Sequence, residues 1–236
     1  MTKFYKIANL IVAMDSFGRT AKQAEPYRCE ELEPDIIIRS SWEDLQKRQP
    51  HLSAEDCEYL SSGASFYKQL LCYDGMMLHA SAVIVDGKAY LFSAPCGTGK
   101  STHTKLWLSV FGDRAYILND DKPALRLIDG IWYAFGTPWS GKNDCSVNIG
   151  VPVAGICLLY QAKENRIIPF SGKDAIFAIL EQTIRPTEAT LQEKLLELLD
   201  KLITTIPVWK MGCNMEEKAA LVSYNAMSVG NKGDII

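Results

Sequence analysis

The chain has 236 residues, 47% of them hydrophobic and 22% charged, with a formal net charge of −3. That length can bury a substantial core, as one domain or one domain with a small appendage, and scattered lysines and arginines leave no electrostatic footprint for nucleic acid. No apolar run reaches the length of a membrane span. The odd count of seven cysteines, without paired short spacings, reads as free thiols rather than a disulfide framework or a zinc site. The opening Met1-Thr2-Lys3-Phe4-Tyr5-Lys6 lacks the apolar stretch of a signal peptide, so a cytoplasmic setting is expected.

Residues 4–15 carry strand-type content in Tyr5, Ile7, Leu10, Ile11 and Val12. Residues 19–34 are polar and read as loop, and residues 35–39 give a second short strand. Ser41, ahead of Glu43 and Asp44, marks a helix start. Ser53-Ala54-Glu55-Asp56 is a capping box that opens a short helix through Leu60. Three strand candidates follow, over 65–73, 77–85 and 88–93. They are separated by Asp74-Gly75 and by Asp86-Gly87, the second a strong hairpin signal. The last of these strands is therefore predicted to pair antiparallel with its predecessor.

That strand runs into Ser93-Ala94-Pro95-Cys96-Gly97-Thr98-Gly99-Lys100-Ser101-Thr102, which reads as a tight glycine loop and the first turn of a helix. The helix continues to residue 111 through Leu106, Trp107 and Val110. Residues 96–101 fit the second half of a phosphate-binding loop. Glycines let successive backbone N–H groups curl around phosphate oxygens, and the helix N-terminus turns its dipole to the same anion. Lys100 can set an ammonium near the β- and γ-phosphates of a nucleotide, and the Ser101 hydroxyl can ligate Mg²⁺. The predicted phosphate-contacting set is Pro95, Cys96, Gly97, Thr98, Gly99, Lys100, Ser101 and Thr102. Ala94 stands where the pattern has its first glycine, which is tolerable if φ stays negative there. Cys96 reads as a reactive thiol or as small-residue filler, and His103 as structural or at the phosphate rim.

Residues 114–118 form a strand ending in Asn119-Asp120-Asp121-Lys122-Pro123. A carboxylate at a strand end beside such a loop commonly orients Mg²⁺, and two together suggest two jobs: one near the metal, one taking the proton of an incoming hydroxyl. The same Asn, Asp and Pro run is also the chemistry of a plain turn. A hairpin over 124–128 and 131–135 turns at Asp129-Gly130 and leads into the turn-rich Gly136-Thr137-Pro138-Trp139-Ser140-Gly141-Lys142. Strands over 153–160 and 166–170 precede helices over 173–183, 190–202 and 216–227, with a short strand over 208–211. The leucine stripe from Leu191 to Leu202 reads as core packing or as a face for a second copy of the chain. Three parts result: an accessory layer over 1–70, a phosphate-loop core over 71–172, and a helical part over 173–236.

Three segments in this order, Leu78-His79-Ala80-Ser81-Ala82-Val83, the loop of residues 93–102, and Leu118-Asn119-Asp120-Asp121-Lys122, resemble the HPr kinase/phosphorylase-like proteins, whose fold is related to phosphoenolpyruvate carboxykinase. The chain looks closest to the smaller members. The resemblance implies a mixed α/β core of that P-loop type, with a partly antiparallel sheet and C-terminal helices. It implies a kinase that uses ATP and Mg²⁺ to move the γ-phosphate to a hydroxyl, a serine that is free or in a peptide or protein. Asp120 would be the base, with His79 close to it and favouring its ionised form; Lys100 would serve the phosphates, and Ser101 with Asp121 the metal. The chain departs from the true regulatory enzymes in lacking their N-terminal module and HPr-docking helices, so HPr is not the expected acceptor. No counterpart of the family's metal-holding glutamate is found, and residues 136–142 stand in its place. Lys142 there reads equally as a contact to phosphate or substrate and as solvated surface. The alternatives are a nucleotide-binding module that assists a partner without turnover, or carboxykinase- or phosphorylase-type chemistry on the same fold.

Overall fold

The chain opens on a hairpin, β1 (Lys3–Ile7) and β2 (Leu10–Met14), turned by Ala8 and Asn9 at φ 51° and 60°. The computed structural model describes residues 2–170 and 173–229; Met1, Ser171, Gly172 and residues 230–236, the end of the expected helical part, lie outside the described residues. After the hairpin come α1 (Gly18–Ala24), β3 (Ile36–Ile38) alongside β2, α2 (Trp42–Arg48) and α3 (Ala54–Leu70).

Two expectations fail in this region. Residues 19–34 are not all loop, because α1 buries Thr20, Gln23 and Ala24 on one face, and two polar members of that face disguise it. Residues 65–73 are not a strand. They complete α3 and a short 3-10 turn. Ser53 caps the helix as expected, accepting from the Asp56 N–H at 3.0 Å. The period then carries on past Leu60 through the buried Gly63, Phe66, Tyr67 and Leu70.

The chain continues through β4 (Gly75–Met77), β5 (Ala80–Val85), β6 (Lys88–Ser93), α4 (Lys100–Phe111), β7 (Ala115–Asn119), β8 (Ala124–Ile128) and β9 (Ile131–Phe135). It ends with β10 (Gly150–Gln161), β11 (Arg166–Pro169), α5 (Lys173–Leu180), α6 (Ala189–Thr205), β12 (Val208–Cys213) and α7 (Lys218–Val229). The result is a mixed α/β fold. β4 to β12 form one sheet in the order β4-β8-β9-β10-β6-β5-β7, with β12 on β10 and β11 on β12. β10 is the splice: its start pairs antiparallel with β9, and its remainder runs parallel to β6 and β12.

β5 and β6 are antiparallel across the Asp86-Gly87 turn, as expected, with both turn residues at positive φ. Each is buried on both faces. Ala80, Ala82, Ile84, Ala89 and Leu91 pack toward α5 and α6, while Val83, Val85, Tyr90 and Phe92 pack toward α4 and α7. That explains their near-continuous apolar sequence. Leu195, Leu198, Leu199 and Leu202 are buried in the first of these cores, so the leucine stripe largely serves its own chain.

Residues 77–85 do not form one strand. β4 pairs with β8, β5 pairs with β6 and β7, and the chain kinks between them at Leu78 and His79. A third core joins the N-terminal layer to the β4–β8–β9 end of the sheet through Phe66, Tyr67, Phe135 and Trp139. Trp139 stacks on Phe66 at 4.9 Å between centroids, and its indole N–H donates to Ser62 Oγ at 3.2 Å. Trp139→Ala is expected to lower unfolding free energy by about 3–5 kcal/mol. Urea denaturation should show this as a lower midpoint at unchanged slope.

Candidate active site

The site begins where β6 ends. Its last residues, buried to Ala94, give way to the exposed Pro95, Cys96 and Gly97. Positive φ falls on Gly97 (80°) and Gly99 (114°) and not on Ala94, so the alanine fits where the pattern has its first glycine. A Cβ at either of those glycines would meet nothing within 4 Å. Backbone conformation, not space, demands glycine there. Gly99 is the N-cap of α4 and no side chain caps the helix, which leaves its first N–H groups free for an anion.

Lys100 is buried, and its ammonium donates to Ala94 O at 2.9 Å. Burial pushes its pKa below the usual lysine value, while the nearby Asp121 and Asp120 carboxylates pull it back up. The loop lysine and the two strand-end carboxylates therefore share one electrostatic neighbourhood.

The carboxylates reach it through an Asx-type turn. Asn119, fully buried at the end of β7, accepts the Asp121 and Lys122 N–H groups on its side-chain oxygen at 3.0 and 2.7 Å. Asp120 is only 9% exposed. Ser81 Oγ donates to its Oδ1 at 2.7 Å and Asn143 Nδ2 to its Oδ2 at 3.0 Å. Ser81 Oγ in turn lies 2.8 Å from Thr104 Oγ1 on the second turn of α4. With the serine proton committed to Asp120, the threonine hydroxyl is the donor, and a relay Thr104–Ser81–Asp120 ties the carboxylate to the loop helix.

His79 does not support Asp120, as the resemblance implied, but Asp121. Its Nε2 lies 3.3 Å from Asp121 Oδ1, while Nδ1 lies 3.1 Å from Gln182 Oε1. The kink between β4 and β5 places it there: His79 N donates to Gln182 O and Ala80 N to Asp121 O, which holds the histidine's backbone against the Asp121 segment. Asp121 Oδ2 pairs with Lys122 Nζ. Burial alone would raise the Asp121 pKa, but the His79 hydrogen bond and the Lys122 ammonium overcome it and hold the carboxyl down at about 2.

Of the other predicted residues, Ser101 is half-buried in the first turn of α4, Thr98 and Gly99 are half-buried in the loop, and Thr102 is exposed. Lys142 is exposed at the end of its loop, whereas Thr137, Trp139 and Ser140 of the same loop are buried. His103 is 2% exposed, with Nε2 at 3.0 Å from Ser223 Oγ and 3.3 Å from Trp107 Nε1. Burial lowers its pKa to about 4. It packs α4 against α7 as a neutral ring and also borders the cavity beside the loop. Sequence reasoning missed Asn143, Thr104 and Gln182 as site residues. Gln182 comes from 103 residues beyond His79, and no local pattern marks it. A cavity of about 380 Å³ opens beside the loop between Thr98, Thr102, Gln161 and Asn214. The seven cysteines are all free, and among the described residues no helix is long and apolar enough to cross a membrane.

Fold and site together define a mixed α/β protein with a strand–glycine loop–helix unit facing a pair of strand-end carboxylates. The chain belongs to the family of the SynChlorMet cassette protein ScmC, whose model matches residues 55–226. No curated protein matches it. Solved structures similar to it include the Hpr(Ser) kinase/phosphatase from Coxiella burnetii, at 14% identity and a TM-score of 0.38, over 65% of this chain and 97% of that one. The roles of individual residues therefore rest on the geometry above.

Asp121 sits below the ordinary carboxyl value of about 3.9. Its contribution to stability is thus present above about pH 4 and lost as pH falls toward about 2. Asp121→Asn is expected to be less stable than wild type at neutral pH, with the gap closing over that acid window. Denaturation midpoints measured across pH check this, and a gap that stays constant would show that the Asp121 charge is not what the fold uses.

Proposed function

We propose that the chain is an ATP-dependent phosphotransferase that moves the γ-phosphate to a serine-type hydroxyl. The observation that carries this reading is the buried Asp120, tied through Ser81 and Thr104 to the loop helix and close enough to the loop lysine for its charge to act on it. A module that only bound nucleotide would need a carboxylate for the metal but not a second one as a base.

The uncapped N–H groups of α4 and the open loop at Gly97 and Gly99 suit a nucleotide's phosphates, and the cavity beside the loop has room for its nucleoside. Mg²⁺ would be held by the Ser101 hydroxyl and Asp121, and would neutralise charge on the phosphates. Asp121 already accepts from His79 and Lys122, and each carboxylate oxygen keeps a further lone-pair direction. Lys100 leaves Ala94 O to meet the transferred phosphoryl group. Asp120 accepts the proton of the acceptor hydroxyl, while Ser81 and Asn143 fix the direction in which it is accepted. Catalysis is chiefly positioning and charge neutralisation.

The test is transfer from γ-labelled ATP with Mg²⁺ to free serine, to serine-containing peptides, and to no acceptor. Asp120→Asn is expected to cut acceptor-dependent transfer by about 10²–10⁴-fold while nucleotide affinity stays near wild type. Unchanged turnover in that variant would remove Asp120 from the mechanism. Lys100→Ala is expected to lose nucleotide affinity, transfer or both, and wild-type behaviour in each would undo the phosphate-loop assignment.

A further inference from the structure

An apolar cavity of about 240 Å³ lies beside the carboxylate corner and shares no lining residue with the cavities at the glycine loop. Its walls are the rings of Tyr59, Tyr67 and Trp139 with Met77 and Ile184, and Lys122 borders it. Each polar atom of those rings already has a partner outside the cavity, and the Tyr59 hydroxyl keeps one proton to donate. Tyr67 OH bonds Lys122 O and Thr137 Oγ1, Trp139 Nε1 donates to Ser62, and Tyr59 OH accepts the Gly141 N–H at 3.0 Å. The cavity therefore offers an occupant apolar surface and almost no hydrogen bonding. The one charged group on its border is the Lys122 ammonium. It pairs with Asp121 and stands 5.5 Å from the Tyr59 ring centroid. Cavity and carboxylates are thus neighbours along three consecutive residues, Asp120 to Lys122.

Resting on the phosphotransferase reading, we infer that this cavity is the specificity pocket for the acceptor, and that the acceptor is a peptide whose reactive serine has a bulky aliphatic or aromatic residue beside it. Free serine has no group to fill the cavity. A polar or charged neighbour would lose its water there and gain no partner. The flanking side chain enters between Tyr59 and Trp139, and the serine hydroxyl is thereby brought to the corner that carries Asp120.

Two substitutions test the pocket without touching the carboxylate machinery. Ala64 lines the cavity from the exposed face of α3, so Ala64→Phe crowds it with little threat to folding; half-buried Ile184→Ser makes its wall polar. The substrates are synthetic hexapeptides with one serine flanked by phenylalanine or leucine, the same peptides with glycine or glutamate as flank, and free serine. Binding is measured by calorimetry with nucleotide present, and transfer by label. The phenylalanine and leucine peptides are expected to bind and react about tenfold or more better than the glycine and glutamate peptides. Ala64→Phe and Ile184→Ser should raise their KM by a similar factor and leave the KM for ATP unchanged, with Ala64→Ser as wild type. Transfer that ignores the flanking residue, or is untouched by both variants, overturns the pocket and leaves the phosphotransferase standing. Flank-selective binding lost in both variants, but with no transfer to any acceptor, keeps the pocket and overturns the phosphotransferase. Neither binding nor transfer overturns both.

Discussion

One buried amide holds the carboxylate corner in shape. Asn119 has no solvent to fall back on, and both ends of its side chain are used. The oxygen accepts the two N–H groups that turn the chain out of β7, and the nitrogen donates to Thr137 O at 3.0 Å, with Thr137 Oγ1 and Ser146 Oγ close by. Thr137 is in turn bonded to Lys122 O and to Tyr67 OH on α3. The loop after β9 and the segment leading into β10 therefore meet at this side chain, and α3 joins them through Thr137. In a low-dielectric interior such a network is rigid when fully satisfied and costly when any member is removed. Asp120 and Asp121 inherit their positions from it.

The second constraint is the double-sided burial of β5 and β6. A one-residue slip in a strand covered on both faces would send every side chain into the opposite core, where the packing is fitted to other shapes. Ser81 is the polar exception on β5. It is fully buried, and its hydroxyl bridges Thr104 and Asp120. One register position away, where Ala80 pairs with Ser93, Ser93 Oγ donates to His79 O at 2.8 Å and pins the kink that carries the histidine. The core thus aims polar groups at the site from two strands whose remaining side chains leave them no freedom to turn.

The features legible in the sequence were those written in local chemistry. The glycine loop needs positive φ at Gly97 and Gly99, the Asp86-Gly87 turn sets its hairpin, and Asn119-Asp120-Asp121 forms the turn its residue types favour while carrying its two carboxylates. What stayed hidden depended on distant chain. The second half of α3 looked like a strand because its middle is Ser, Gly and Ala, and its helical face shows only once Trp139 packs over Gly63. His79 was placed against the wrong aspartate because Gln182, which turns it, lies in the segment after α5. Asn143 sits next to Lys142, yet the exposed lysine drew attention because charge is visible in a sequence and an amide's partner is not.

The exchange of partners sharpens the division of labour between the two carboxylates. Asp121 is flanked by a lysine and a histidine and held near the bottom of the carboxyl range. So strongly stabilised an anion is a poor proton acceptor, because the charges that fix it must be worked against when it is protonated. It is suited to stay charged, facing cations and the buried Lys100. Asp120 is gripped by neutral donors, a hydroxyl and an amide. Those orient its oxygens, and the serine hydroxyl can accept as well as donate. Within the proposed reaction, the assignment of roles follows from which aspartate the kink between β4 and β5 leaves to neutral neighbours.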